Sequence, residues 1–151
     1  MALYSFPPTL LTLQAPVTVP LTVPVSLSTL KAVNDIPLTR SLLKRALRDL
    51  SERLYYSFRR QVRLVVHGGA VMVLHPSLRH RESTQDVDYI HRSFVTEYRD
   101  LGFPDPGRLL RKCIAETALK YNLGADWMND HADVALPMAR EYVMNRITPN
   151  K

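Results

Sequence analysis

Apolar residues recur at three- and four-residue spacings between Ile36 and Phe58, and basic residues lie mostly between them. This pattern predicts an amphipathic helix with one face on the core and a basic face in solvent. Asn34 or Asp35 could cap the helix, and Pro37 suits its first turn, where a missing backbone donor costs little. The apolar positions are Leu38, Leu42, Leu43, Ala46, Leu47, Leu50, Leu54 and Phe58.

Two short segments in the middle of the chain have strand patterns. The run 62–66 is rich in β-branched residues and precedes Gly68 and Gly69, so it predicts a buried strand that ends in a glycine turn. Residues 86–90 alternate between polar and apolar side chains, which predicts a second strand. Between the strands, residues 70–75 are long enough for about two helical turns.

The second half of the chain predicts further helices. Residues 94–101 form a short helical pattern that ends at Gly102, and Asp105 followed by Pro106 is a typical start for the longer helix that follows. Gly124 suits a left-handed cap at the end of that helix. The order of helix, strand, short helix, strand and helices predicts a small α/β (α+β) domain, with a short mixed sheet flanked by helices.

Length and composition are those of one globular domain. The chain has 151 residues, of which 46% are hydrophobic and 23% are charged. Its single cysteine, Cys113, excludes an internal disulfide and a multi-cysteine zinc site, and it favours a reducing, cytoplasmic location. The five histidines have spacings that match no zinc motif.

The first thirty residues carry no charge and are interrupted by five prolines. No proline-free run there approaches the roughly 20 residues that span a bilayer, so we expect no membrane segment. The prolines favour extended backbone, and residues 1–33 are predicted to form a flexible arm or an edge strand on the domain. Residues 34–151 are predicted to form the domain itself.

The formal charge of +6 is unevenly distributed. Residues 31–81 carry 11 basic and 3 acidic side chains, whereas residues 82–151 carry 9 basic and 11 acidic ones. The basic half, centred on the predicted amphipathic helix, could bind the phosphates of RNA. The alternative is an ordinary solvated face on which Asp49 and Glu52 form local ion pairs.

The glycine turn and the second strand bring together residue types that suit phosphate and metal chemistry. Gly68 and Gly69 allow close approach of a ligand to the backbone, and the amides of the next helix could donate to a phosphate. Strand alternation places Asp86 and Asp88 on one face, with Cα atoms about 6.5–7 Å apart. Carboxylates and phosphates are the ligands that Mg²⁺ prefers. The simpler alternative is a tight connection beside a surface strand paired with arginines.

The residues Val65-Val66-His67-Gly68-Gly69-Ala70, followed by Arg81-Glu82-Ser83-Thr84-Gln85-Asp86-Val87-Asp88, resemble the paired motif of the polymerase-beta-like nucleotidyltransferase superfamily. The similarity is greatest to its toxin-like branch, which is related to abortive-infection and toxin–antitoxin nucleotidyltransferases. In that branch an arginine and a serine or threonine precede the Asp-x-Asp. The segment 125–130 also resembles the tryptophan-asparagine-aspartate element of the branch.

The resemblance implies transfer of a nucleoside monophosphate from a nucleoside triphosphate to an acceptor such as RNA or a protein, with Mg²⁺ or Mn²⁺ as cofactor. It implies that Asp86 and Asp88 are the catalytic metal ligands. It also implies a third carboxylate on a later strand, for which Asp133 is the best candidate, although no such strand is evident and the domain would then be shortened at its C-terminal end. The nucleotide-binding residues that it implies are Gly68, Gly69, Arg81, Ser83 and Thr84.

In the alternative function, the domain has the nucleotidyltransferase-like fold but no catalytic activity. A catalytically degenerate nucleotidyltransferase-like domain would bind RNA or an acidic protein through its basic surface. The lack of an evident third carboxylate favours this alternative.

Overall fold

The computed structural model describes residues 2–4, 30–75 and 81–131. These residues form a mixed α/β fold, which confirms the predicted class. The helices are α1 (Arg40–Phe58), α2 (Gly69–Leu74), α3 (His91–Asp100) and α4 (Pro106–Tyr121). The strands are β1 (Ala2–Tyr4), β2 (Leu38–Thr39), β3 (Leu64–His67), β4 (Ser83–Thr84), β5 (Val87–Tyr89) and β6 (Met128–Asn129).

The larger sheet has the strand order β1-β3-β5-β6. Strand β3 is antiparallel to β1 and β5, while β5 and β6 are parallel, so the sheet is mixed as predicted. In its register, Asp88 lies opposite His67 on one side and opposite Asn129 on the other. Strands β2 and β4 form a separate antiparallel pair. Strand pairing therefore brings three polar side chains from distant parts of the sequence to one row of the sheet.

Helix α1 begins four residues later than the pattern predicts. The hydroxyl oxygen of Thr39 caps it by accepting a hydrogen bond from the backbone N–H of Leu42 at 3.4 Å. Just before this cap, Leu38 is fully buried and pairs with Thr84 in extended backbone. Because burial of Leu38 in a strand pair outweighs one more helical turn, Pro37 lies outside the helix and the predicted helix start is wrong.

Asn34 and Asp35, the predicted caps, have other roles. The side-chain amide of Asn34 donates to the carbonyl oxygens of Ile36 at 2.9 Å and Gln85 at 2.7 Å. Asp35 is exposed and pairs with Lys31 at 3.3 Å. Asn34 therefore links the segment before α1 to the loop that precedes β5.

The other elements match their predicted positions to within a few residues. Helix α4 begins at Pro106, and Asp105 caps it by accepting a hydrogen bond from the backbone of Arg108 at 3.1 Å, as the sequence predicts. Helix α3 begins three residues before the predicted position and stops before Gly102, which has a φ of +92°. Local capping signals are thus sufficient to place the helices of the second half.

Gly124 does not cap α4, contrary to the prediction. Asn122, with a φ of 55°, is the left-handed residue at that end. Gly124 is buried where the chain passes the backbone of Val33 and Asn34, and a side chain there would overlap both. The glycine is required by a long-range backbone contact, which has no local signature.

The core between α1, the larger sheet, α3 and α4 consists mainly of aliphatic side chains, with aromatic rings packed among them. The ring of Phe58 makes edge-to-face contacts with Phe94 at 5.7 Å and Tyr98 at 5.1 Å between centroids. Trp127 is fully buried, and its indole N–H donates to the carbonyl of Ile114 at 3.1 Å. Trp127 therefore anchors the turn that leads into β6.

Part of the predicted arm lies on the domain. Strand β1 pairs with β3 at the edge of the larger sheet, as the edge-strand alternative predicts. The carbonyl of Lys31 accepts a hydrogen bond from the backbone N–H of Ala125 at 2.7 Å. Residues 5–29, for which the flexible-arm prediction also stands, lie outside the described residues. Among the helices of the described ranges, none has the length and apolar character needed to cross a membrane.

Candidate functional site

Gly68, which links β3 to α2, and Gly69, the first residue of α2, lie against different groups. A side chain at Gly68 would place its Cβ 2.5 Å from Oδ2 of Asp88. A Cβ at Gly69 would lie 2.6 Å from Oγ1 of Thr84 and 2.8 Å from a guanidinium nitrogen of Arg81. The glycine turn is therefore contacted by a carboxylate at one residue and by a hydroxyl and a cation at the next.

Gly68 is also required by its own backbone conformation. Its φ of 70° and ψ of −148° lie in a region that essentially only glycine adopts. The turn directs the chain away from β3 and into α2, whose first residue is Gly69. Helix α2 has only six residues, so its dipole contributes little positive potential at its N-terminus. Arg81 is therefore the main source of positive charge beside Gly69.

Asp86 directly precedes β5, and Asp88 is the second residue of that strand. Burial raises the pKa of Asp88, and the negative charge of Asp86 raises it further, while His67 and His131 oppose the shift. Both effects disfavour ionised Asp88 beside ionised Asp86. A cation bound between the two carboxylates would relieve this cost.

The site also includes Arg81, Ser83 and Thr84, and each contributes a different group. The guanidinium Nε of Arg81 donates to the carbonyl oxygen of Ser83 at 3.0 Å, which holds the arginine beside Gly69. Thr84 is buried in β4 with its hydroxyl oxygen toward the same glycine. Ser83 thus contributes a backbone carbonyl that positions Arg81.

A later strand does exist, which corrects the expectation drawn from the sequence. Strand β6 runs parallel to β5, and its residue opposite Asp88 is Asn129. The amide nitrogen of Asn129 donates to Oδ2 of Asp86 at 3.4 Å and to the carbonyl of Asp126 at 3.1 Å. An amide therefore lies beside the aspartate pair, on the strand where the resemblance implies a carboxylate.

The two acidic residues that follow α4 in the described ranges, Asp126 and Asp130, have other contacts. Asp126 accepts a hydrogen bond from the backbone N–H of Asn34 at 2.5 Å. Asp130 lies 4.0 Å from the ring of His91. Asp133, the predicted third carboxylate, lies outside the described residues and stays a prediction.

His67 is a site residue that was not predicted from the sequence. It lies opposite Asp88 in the sheet, and its Nε2 is buried without a hydrogen-bond partner among the described residues. A buried polar nitrogen without a partner is costly. Its position directly before the glycine pair was the available signal, whereas spacing to other histidines carried none.

The donor set fits Mg²⁺ or Mn²⁺ bound together with a nucleotide. Magnesium is usually held by one or two carboxylates plus substrate phosphates, with water completing an octahedron. Asp86 and Asp88 supply such a pair, and no group of three histidine, cysteine or acidic residues in the described ranges forms a complete protein site. Metal binding at this site would thus depend on the phosphates of the substrate.

A cleft of about 290 Å³ lies along β6. Asn129 lines it and also contacts Asp86, so the cleft opens beside the metal-binding candidates. Its wall includes both basic and acidic side chains. Those residues are Arg111, Asp126, Asp130 and His131.

No protein-family model, no curated protein and no solved structure matches this chain. The geometry of the glycine turn and its neighbours is therefore the basis for a functional assignment.

Substitution Gly68→Ala is expected to destabilise the protein by about 1–3 kcal/mol, the cost of a strained backbone conformation. It should also displace the Asp88 carboxylate, because the new Cβ would lie 2.5 Å from Oδ2. Gly102→Ala is a matched control, since Gly102 also has a positive φ but nothing lies within 4 Å of the position that a Cβ would take there. Denaturant unfolding should show a lower free energy of unfolding in both variants. Only Gly68→Ala should lose magnesium-dependent nucleotide affinity. Equal nucleotide affinity in the two variants would contradict a role for the turn.

Proposed function

We propose that the protein is a metal-dependent nucleotidyltransferase that moves a nucleoside monophosphate from a nucleoside triphosphate to an acceptor hydroxyl. The observation that carries the proposal is the placement of opposite charges on either side of one glycine turn. Asp88 contacts the position of Gly68, and Arg81 contacts the position of Gly69. A metal-bound triphosphate needs this combination of carboxylates for the cation and positive charge for the phosphates.

In this proposal each group has one task. Asp86 and Asp88 would hold Mg²⁺ or Mn²⁺, which would neutralise charge on the phosphates. In the transfer, the acceptor oxygen forms a bond to the α-phosphorus, the bond from that phosphorus to pyrophosphate breaks, pyrophosphate leaves and the hydroxyl proton passes to water. The guanidinium of Arg81 and the hydroxyl of Thr84 orient phosphate oxygens above Gly69. The carbonyl of Ser83 keeps Arg81 in place. Asn129 holds the carboxylate of Asp86 by its amide.

The cleft beside β6 is the proposed approach for the acceptor. It shares Asn129 with the carboxylate site and has space for part of a ligand. RNA and proteins both carry hydroxyl acceptors, and the cleft has donors and acceptors for either.

A nucleotide-binding domain without transfer activity is the second candidate, and Asn129 favours it. An asparagine amide cannot accept a proton from an acceptor hydroxyl or supply a third negative charge to the metals. If no other carboxylate completes the site, the domain would hold a nucleotide, or bind RNA or an acidic protein, without reacting.

Manganese binding measured by electron paramagnetic resonance tests the metal part of the proposal. We expect weak Mn²⁺ binding by the protein alone and clearly tighter binding when a nucleoside triphosphate is present, because phosphates complete the coordination. The double variant Asp86→Asn/Asp88→Asn should lose this enhancement, whereas Asp100→Asn, an exposed position on α3, should keep it. Enhancement that persists in the double variant would refute the assignment of the metal ligands.

A further inference from the structure

The outer face of α1 and the loop after it carry a strong positive charge. Between residues 40 and 63 the chain has eight basic and two acidic side chains, whereas the other described residues have eight basic and ten acidic ones. Seven of the eight basic residues are exposed. They are Arg40, Lys44, Arg45, Arg48, Arg59, Arg60 and Arg63.

None of these seven side chains forms an ion pair with another described residue. Arg53, the eighth, points toward α4 and pairs with Asp49 at 2.6 Å and Glu116 at 3.0 Å. The local ion pair that the solvated-face alternative predicts for Asp49 is present, with Arg53, but it is directed toward α4 and neutralises none of the seven exposed basic residues. Glu52 is the acidic residue that remains on the outer face.

Two tyrosines lie on the same basic face. The side chains of Tyr55 and Tyr56 are 50% and 68% exposed, although tyrosine rings are usually buried to a larger extent. Their rings meet edge to face, with centroids 5.9 Å apart and an angle of 79° between the planes. Each ring therefore presents surface to solvent between basic side chains.

We infer that this face of α1, which we call the α1 surface, binds single-stranded nucleic acid. Unpaired arginines and lysines recognise the phosphate backbone, and exposed aromatic rings stack on unpaired bases. The stretch from Lys44 to Arg59 is about 22 Å long at 1.5 Å per residue, which is enough for several nucleotides. An acidic peptide would satisfy the charges but leave the tyrosine rings without a stacking partner. No residue of the glycine-turn site takes part, so the α1 surface is independent of the proposed function.

Fluorescence anisotropy with a labelled oligouridylate of about 20 nucleotides tests the charge requirement, since this length exceeds the site size of a single domain. Each phosphate contact contributes about 0.7 to the slope of log affinity against log salt. Arg45→Ala/Arg48→Ala should therefore weaken binding and lower that slope by about 1.4. Arg99→Ala/Arg108→Ala removes the same charge from exposed positions on α3 and α4 and should leave the slope unchanged. Equal effects of the two pairs would overturn the inference.

Tyrosine variants test stacking separately from charge. Tyr55→Leu/Tyr56→Leu should weaken oligouridylate binding by about tenfold or more at an unchanged salt slope, while Tyr55→Phe/Tyr56→Phe should bind within about twofold of the original chain. Because both side chains are exposed, unfolding midpoints should stay constant and show that the variants fold. Full affinity of the leucine variant would overturn the inference.

Competitors identify the ligand class. Single-stranded RNA and DNA of equal length should both compete, and the difference between them measures any preference for the 2′-hydroxyl. Polyglutamate or duplex RNA that competes as well as the single strand would overturn the assignment in favour of an acidic protein or a duplex. The variant Asp86→Asn/Asp88→Asn should retain full oligouridylate affinity. Failure of nucleotide binding at the glycine turn can thus be distinguished from failure of the α1 surface.

Discussion

Replacement of Asp88 by asparagine is expected to stabilise the metal-free protein and to abolish the magnesium-dependent binding of nucleoside triphosphates that we propose for the glycine turn. Burial and the nearby charge of Asp86 raise the pKa of Asp88, so the ionised carboxylate costs stability at neutral pH. An amide removes that cost, and we expect a gain of roughly 0.5 kcal/mol or less, because the Asp88 carboxylate is partly exposed and solvent screens its charge. Unfolding by denaturant in the presence of a chelator measures the gain.

The pH dependence of this gain follows from the direction of the shift. A carboxyl with a raised pKa in the folded state loses stability as the pH rises from its unfolded pKa, about 3.9, through its folded pKa. The advantage of Asp88→Asn should therefore be greatest above the folded pKa of Asp88 and disappear below its unfolded pKa of about 3.9. Asp100→Asn provides the control, because Asp100 is exposed at the end of α3.

The loss of nucleotide affinity should be large in the same variant. Removal of a ligand's hydrogen-bond partner typically costs about tenfold to a hundredfold in metal affinity, and loss of a direct ligand is expected to cost more. Opposite signs for stability and ligand affinity are typical of a residue retained for binding. If Asp88→Asn were less stable and bound nucleotide normally, Asp88 would be a structural residue.

Substitution Asp49→Ala is expected to destabilise the protein by about 1–3 kcal/mol, because it leaves a buried hydrogen-bond donor without an acceptor, while the partly exposed cations that pair with Asp49 can turn to solvent. Asp49 is 6% exposed at the interface of α1 and α4. Its carboxylate accepts hydrogen bonds from Arg53 at 2.6 Å, from Thr117 at 3.2 Å and from Lys120. The substitution would leave the buried hydroxyl of Thr117 without its acceptor. Glu52→Ala, at an exposed position one turn away, should change stability by about 0.5 kcal/mol or less.

Acidification should weaken the same interface. Burial acts to raise the pKa of Asp49, but hydrogen bonds from Lys120 and Arg53 outweigh it and hold the pKa below its ordinary value. Because the folded pKa is lowered, Asp49 contributes stability above its unfolded pKa of about 3.9, and the contribution is lost as the pH falls through the folded pKa. Unfolding free energies of Asp49→Asn should therefore vary less between about pH 5 and pH 2 than those of the original chain. Equal pH profiles would contradict the network.

Local signals were sufficient for most helices and for the position of the glycine turn in the candidate site. The adjacent residues Asp105 and Pro106 mark the start of α4, and the glycine pair marks the turn after β3. Asp86 and Asp88 share a face because alternate residues of a strand do so. Each of these predictions depends on neighbours along the chain.

The features that could not be predicted depend on contacts between distant residues. Strands β4 and β6 have two residues each, too few to show alternation. Asn129 reaches Asp86 because β6 pairs with β5, and His67 faces Asp88 because β3 pairs with β5. The predicted start of α1 was wrong for the same reason, because Leu38 pairs with Thr84 in a strand and is not part of the helix. Sequence patterns indicate which residues form the site, while sheet register decides what surrounds them.

Calorimetric titration of each of the four nucleoside triphosphates, first with Mg²⁺ and then with a chelator, is the most direct test of a nucleotide site at the glycine turn. We predict binding that requires Mg²⁺, is lost in Asp86→Asn/Asp88→Asn and is retained in Asp100→Asn. The absence of binding for every nucleotide in the presence of Mg²⁺, or binding that the double variant keeps, would contradict this site.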